Sequence, residues 1–172
     1  MTMNTSQLNS YEIDLFASIH NTILPKRKQN FDTKGISSAK NLQYTTIIEP
    51  IMIKTKQVLD MFNKTNYDLS RYYIEFQQRN CGFEKKCKRT FDWHEDDYGA
   101  VNYKVHTIIY YIRKENTIKG GNLEYIFENK NYIQQIKNGQ ILCFDGNLKH
   151  RPEICSGIGC RDSIVVFIKS AF

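Results

Sequence analysis

From Arg71 onward the chain is cut into short β-rich runs, and this pattern limits the fold more than any other feature. Tyr72–Phe76, Phe91–Glu95, Lys104–Ile112, Asn122–Phe127, Gln140–Phe144 and Asp162–Lys169 each carry the β-branched and aromatic residues that favour strands. Gly99, Gly120-Gly121, Gly139, Gly146 and Gly157/Gly159 punctuate them. Many short runs at even spacing suggest a barrel or sandwich. Gln77 to Arg89 reads as a charged, Gly82-containing excursion between the first two runs.

The first 70 residues have a different texture. Residues 1–7 read as a frayed terminus. Leu8, Tyr11, Leu15, Phe16, Ile19 and Ile23 then recur at helical spacing, with Ser10 as the expected cap and Pro25-Lys26-Arg27-Lys28 as the stop. Residues 26–46 read as a polar connector. Glu49-Pro50 signals a second helix, because proline suits a first helical turn, and Ile51, Val58, Leu59 and Phe62 form its buried stripe. Each amphipathic helix needs a surface to lie on. The expected architecture is α+β, mainly β. Residues 1–70 are mainly helical support, residues 71–172 form the β core, and the 172 residues make one domain.

Charge bears on what such a domain meets. The formal charge is +6 and the sequence pI about 9.0, which suits nucleic acid. The excess lies wholly in residues 1–90, with 14 Lys/Arg against 8 Asp/Glu; residues 91–172 balance at 10 each. Asn, Ile and Lys are frequent throughout, so coding bias accounts for much of the excess without a basic binding surface. Mean hydropathy is −0.53, and no apolar run approaches the ~18 residues of a membrane span. Met1–Ser10 has no apolar signal segment, and the five cysteines (81, 87, 143, 155 and 160) are odd in number. The expectation is free thiols in a reducing, cytoplasmic setting.

The chemistry starts at Phe91-Asp92-Trp93-His94-Glu95-Asp96-Asp97. If this is a strand, His94 and Asp96 face one way and Glu95 and Asp97 the other. A histidine from a distant strand would then complete a site of two imidazoles and one carboxylate, which leaves coordination positions open on Fe(II). Four His and nine Asp in 172 residues give a His-x-Asp by chance about 0.2 times, so the pair alone decides little. The run that follows it decides more. Val105-His106-Thr107-Ile108-Ile109-Tyr110-Tyr111-Ile112 is followed by Gly120-Gly121-Asn122-Leu123. Then come Gly139 to His150 and Gly159-Cys160-Arg161-Asp162-Ser163-Ile164-Val165-Val166-Phe167.

In this order, residues 91–169 resemble the catalytic core of the prolyl-hydroxylase-like Fe(II)/2-oxoglutarate-dependent dioxygenases. The resemblance implies a double-stranded β-helix of the jelly-roll or cupin-like kind, with the metal between its two sheets. It implies His94, Asp96 and His150 as iron ligands and Arg161 as the partner of the far carboxylate of 2-oxoglutarate. Tyr111 is implied as a hydroxyl donor to the same carboxylate and Ser163 as an assisting serine. Ile109, Leu123 and Phe167 become apolar walls, and Gly120-Gly121 the turn before the roofing strand. Formal charges agree: Fe(II), Asp96 and 2-oxoglutarate sum to −1, and Arg161 neutralises them in a buried site. The implied reaction consumes O₂, releases succinate and CO₂, and hydroxylates a C–H bond, with ascorbate as a candidate reductant.

Other residues have plainer expectations. His106 reads as a core or surface histidine and His20 as a solvated one, while Asp92 shares the His94 face. Tyr73 is the available residue where many relatives carry a cosubstrate-binding tyrosine. Gln77–Arg89 is a candidate flap, and Pro152 stands where relatives often have a small aliphatic residue. The expected substrate is a prolyl or other residue in a protein or peptide. A free amino acid or small molecule is one alternative, and an AlkB-like nucleic-acid demethylase another. That last family places a second arginine six residues after the cosubstrate arginine, where this chain has Phe167. A monomer or weak dimer is expected.

Overall fold

Strand β4 (Tyr103–Lys114) shows how the sequence divides the molecule. Successive strand residues face opposite ways. Ile108, Tyr110 and Ile112 therefore join an apolar core under the helices, while Thr107, Ile109 and Tyr111 line a cavity on the other face. β11 (Gly159–Ala171) does the same, with Ile164, Val166 and Ile168 on one side and Arg161, Ser163, Val165 and Phe167 on the other. β3 (Tyr72–Cys81) sends Ile74 and Phe76 to the core and Glu75, Gln77 and Arg79 to the cavity.

These strands belong to a computed structural model that describes residues 3–25, 31–38, 44–81, 92–97 and 102–171. The main sheet is six-stranded, in the order β1-β8-β4-β11-β3-β2, where β1 is Asn4–Gln7, β2 Phe31–Ser37 and β8 Gln140–Asp145. A three-stranded sheet, β7-β6-β9, faces it, built from β6 (Leu123–Phe127), β7 (Lys130–Gln134) and β9 (His150–Pro152). A short pair, β10-β5, joins Cys155–Gly157 to Ile118–Gly120. All the pairings are antiparallel. The core is the expected double-stranded β-helix.

Helix α1 (Ser10–Ile23) and helix α2 (Thr45–Met61) cover the outer face of the main sheet. Several expectations shift here. The cap of α1 is Asn9, not Ser10. Asn9 Oδ1 accepts from the Glu12 N–H at 2.9 Å, and the Glu12 carboxylate accepts from the Asn9 N–H at 2.9 Å, a reciprocal capping box. Tyr11 is 74% exposed. His20 is buried, because the turn that points Phe16 and Ile19 at the sheet carries position 20 with them. Its Nε2 donates to the Gln77 carbonyl at 3.0 Å. Burial, opposed by Asp162, lowers its pKa and favours the neutral ring. α2 begins at Thr45, so Pro50 stands inside it as the sixth residue. Only the Thr46 carbonyl loses a helical partner there. Burial of Ile48 and Ile51 on the sheet compensates for that loss.

Two polar segments prove to be strands. Residues 4–7 are not frayed: β1 pairs with β8 from Asn4↔Cys143 to Gln7↔Gln140. The connector contains β2, which extends the sheet beyond β3 from Phe31↔Arg79 to Ser37↔Tyr73. In both, the main-chain ladder does what an apolar pattern does elsewhere. The excursion begins later than expected, since Gln77–Cys81 continue β3. Positions 82–89 of the candidate flap, with Gly82 and Cys87, lie outside the described residues. Among the described residues no helix is long and apolar enough to cross a membrane, and Cys143 and Cys155 are free thiols.

Candidate active site

The segment carrying His94 and Asp96 is not a strand. Only His94 is bridged, to His150, through reciprocal backbone hydrogen bonds of 3.0 Å, and a turn follows at Asp96-Asp97. The i, i+2 convergence expected of a strand arises from a bridge and a turn instead. The turn is fixed against β8, because the Gly146 carbonyl accepts from the Asp96 N–H at 2.7 Å. Gly146 permits this approach: a Cβ there would lie 2.8 Å from Val105 Cβ and 3.3 Å from the Asp97 nitrogen.

His94, Asp96 and His150 come together, with their ligand atoms within 4.8 Å of one another. His94 Nε2 lies 3.8 Å from Asp96 Oδ1 and His150 Nε2 lies 3.7 Å from Asp96 Oδ2. Two atoms each about 2.1 Å from one ion lie at most about 4.2 Å apart, and both Asp96 separations satisfy that limit. The orientation is set from behind. His94 Nδ1 donates to the Asp92 carbonyl at 2.9 Å and His150 Nδ1 to the Leu148 carbonyl at 2.8 Å, so both Nε2 atoms carry lone pairs toward Asp96. Burial lowers the pKa of His150 against the pull of Asp96, which favours the neutral imidazole that a metal requires. Thr107 donates to Asp96 Oδ2 at 2.6 Å. Strand alternation with Ile109 and Tyr111 was the available signal for Thr107, and the sequence reading missed it.

The cluster opens into a cavity of about 340 Å³ between the two sheets. Ile109, Leu123 and Phe167 line it, together with Pro152. Tyr111 and Ser163 face each other across β4 and β11, both almost fully buried. Arg161 lies beyond them, 2% exposed, with its guanidinium carbon 5.4 Å from the Tyr111 ring centre. One of its Nη atoms donates to the Gly121 carbonyl. Its Nε is buried with no hydrogen-bond partner among the described residues, a donor an anion could satisfy. Gly121 (φ 72°) must stay small: a Cβ there would lie 2.7 Å from Cys155 Sγ and 3.5 Å from Arg161. Burial raises the pKa of Tyr111, and Arg161 and Arg79 oppose the rise. Tyr111 therefore keeps a neutral hydroxyl.

The remaining expectations sort by position. Asp92 is on the cavity rim and exposed. His106 faces away from the cavity, with Nδ1 3.1 Å from Asp145 Oδ1. Tyr73 does not line this cavity; it stacks on Phe167 at 6.0 Å and borders a neighbouring cavity of about 500 Å³. The two cavities share Glu75, Asp96 and Phe167. Sequence reasoning also missed Arg79, which lines the site cavity and is 3% exposed. Extending β3 past Phe76 would have placed it there.

No protein-family model matches the sequence, and no curated protein matches it. Solved structures do. A Pseudomonas putida prolyl-4-hydroxylase superposes with a TM-score of 0.69 at 9% identity, over 99% of this chain and 93% of that one. A 2OG-Fe(II) oxygenase family oxidoreductase from Burkholderia pseudomallei gives 0.71 at 11% identity, over 98% and 84%. The viral collagen prolyl hydroxylase of Paramecium Bursaria Chlorella virus-1, in its 2OG complex, gives 0.64 at 15% identity, over 100% and 97%. At such identities the shared property is the fold: this chain has the fold of the prolyl-hydroxylase-like 2OG oxygenases.

Proposed function

We propose that the chain is an Fe(II)- and 2-oxoglutarate-dependent oxygenase that hydroxylates a prolyl or other residue in a protein or peptide. One observation carries the reading. A His-Asp-His cluster and a buried arginine with an unsatisfied Nε border the same cavity. The donor set fits a metal with open positions, and the arginine fits a carboxylate.

In this reading His94, Asp96 and His150 hold Fe(II), and Thr107 fixes the Asp96 carboxylate. Arg161 binds the far carboxylate of 2-oxoglutarate, with Tyr111 donating its hydroxyl and Ser163 assisting from the facing strand. Ile109, Leu123 and Phe167 exclude water along the cosubstrate, which strengthens each charge-assisted bond. When bound, iron and 2-oxoglutarate supply the activation of O₂ and the oxidation of a C–H bond, with succinate and CO₂ as coproducts. The neighbouring cavity, which meets the site at Asp96 and Phe167, takes the substrate. The free thiols suit a reducing, cytoplasmic setting.

The test is succinate formation from 2-oxoglutarate by the metal-free protein reconstituted with Fe(II), with and without proline-containing peptides. The reading predicts Fe(II)-dependent turnover that peptide stimulates and His94→Ala abolishes. Failure to bind 2-oxoglutarate in the presence of metal would sink it. Stimulation by single-stranded nucleic acid, weakening steeply with salt, would move the substrate class away from peptides.

A further inference from the structure

Tyr73 stands level with the His-Asp-His cluster. Across the main sheet Ser37, Tyr73, Phe167 and Thr107 are successive cross-strand partners, and Thr107 is the donor to Asp96. Two strand spacings separate Tyr73 from Thr107, roughly 10 Å. A tyrosine on this strand is expected to bind the cosubstrate, but the position of Tyr73 does not suit that role. Ser163 pairs with Gln77 and Arg161 with Arg79. The residues for the far carboxylate therefore lie four and six positions along β3 from Tyr73, roughly 13 and 20 Å. The Tyr73 hydroxyl also leans toward β2, on the side away from β11. Gly35 of β2 makes room for it: a Cβ there would lie 2.0 Å from the hydroxyl oxygen and 2.6 Å from the ring carbon that bears it. On its other side the ring stacks on Phe167, with centroids 6.0 Å apart and 29° between the planes. The side chain is 39% exposed. With Phe167 and Asp96 it borders the cavity of about 500 Å³.

We propose that Tyr73 is a specificity-determining residue for the substrate, not a ligand of the cosubstrate. A flat apolar side chain of the peptide, such as a proline ring, seats against Tyr73 and Phe167 while the residue beside it reaches the metal. Ring surfaces of this kind gain from contact beyond the area they bury. Proline-rich segments are already extended and dock on aromatic walls at low entropic cost. Gly35 is the positioning residue, because only a residue without a side chain leaves the ring where it lies. Its backbone is ordinary strand, so alanine fits the main chain and displaces only the ring.

The proposal rests on the peptide-oxygenase reading, and the experiment separates the two. Calorimetry on the Mn(II)-loaded full chain measures 2-oxoglutarate first, then an oligo-L-proline peptide with 2-oxoglutarate in place. Gly35→Ala should weaken the peptide about 3- to 10-fold. It should leave 2-oxoglutarate affinity unchanged and the melting temperature no lower, since glycine is a poor strand residue. Tyr73→Ala should weaken the peptide about 10-fold and leave 2-oxoglutarate within about twofold. Tyr73→Phe keeps the ring and should leave both ligands within about twofold. If Tyr73→Ala fails to fold, Gly35→Ala and Tyr73→Phe carry the test. Loss of 2-oxoglutarate affinity in Tyr73→Phe would return the hydroxyl to the cosubstrate and overturn the proposal. Undiminished peptide binding by Gly35→Ala and Tyr73→Ala would overturn it too. Wild type that binds 2-oxoglutarate but not the peptide overturns the proposal while the oxygenase reading stands. No binding of 2-oxoglutarate by the Mn(II)-loaded wild type overturns both.

Discussion

The two faces of the six-stranded sheet are made from alternate residues of the same strands, yet they do different work. The outer face is apolar and sealed by α1 and α2, with Ile74, Phe76, Ile108, Ile164 and Val166 all at 0% exposure. The inner face, one residue out of step, carries Thr107, Tyr111, Arg161, Ser163 and Arg79. Buried charges and hydroxyls are costly unless satisfied. A sheet that holds them on one face therefore needs a large apolar face behind it. The helices matter to the chemistry because they make the outer face strong enough to support the inner one.

The largest test of that contrast removes a ring from the outer face. Phe76→Ala should cost about 3–5 kcal/mol and lower the melting temperature by roughly 6–20 °C for a chain of this size. Mn(II) affinity well below the transition should be unchanged. Thr107→Val does the reverse on the inner face. It keeps the shape but deprives Asp96 of a donor, so metal affinity should fall about 10-fold or more while melting moves little. If Thr107→Val unfolds the protein and Phe76→Ala is silent, the division between the faces is wrong.

A smaller effect depends on pH. Asp145 at the end of β8 accepts from His106 and from Lys64, at 3.1 and 2.7 Å, and these partners hold its pKa well below the usual carboxylate range. A depressed pKa contributes stability that is present above the unfolded value of about 4 and is lost as pH falls below it. Asp145→Asn should flatten that acid limb in melts between pH 5 and 2, leaving the neutral-pH slope alone. Smallest of all is a reactivity difference. Burial pushes the Cys143 thiol up to about 12. A thiol reagent at pH 8, read by peptide mass mapping, should spare Cys143 on the outer face and label the part-exposed Cys160.

Much of this was readable in the sequence, though not always for the right reason. The β runs and glycine turns pointed to a barrel or sandwich, the resemblance carried by residues 91–169 implied the double-stranded β-helix, and helical spacing found α1 and α2. The His94–Asp96 spacing worked although its stated cause, a strand, is absent; a bridge to His150 and a turn held by Gly146 produce the convergence. What escaped was polar. β1 and β2 are strands because neighbours supply their hydrogen bonds, which no apolar period records. His20 is buried because its helix turns it inward, and composition treats any histidine as a surface residue. Arg79 was hidden in a charged stretch that read as a loop, although β3 carries it to the wall of the site.

The central claim is that His94, Asp96 and His150 hold a metal on which 2-oxoglutarate depends. Calorimetric titration of 2-oxoglutarate into the wild type and His94→Ala, each with and without Mn(II), tests it most directly. The account predicts binding by the metal-loaded wild type alone. Equal binding with and without metal, or undiminished metal-dependent binding by His94→Ala, would contradict it.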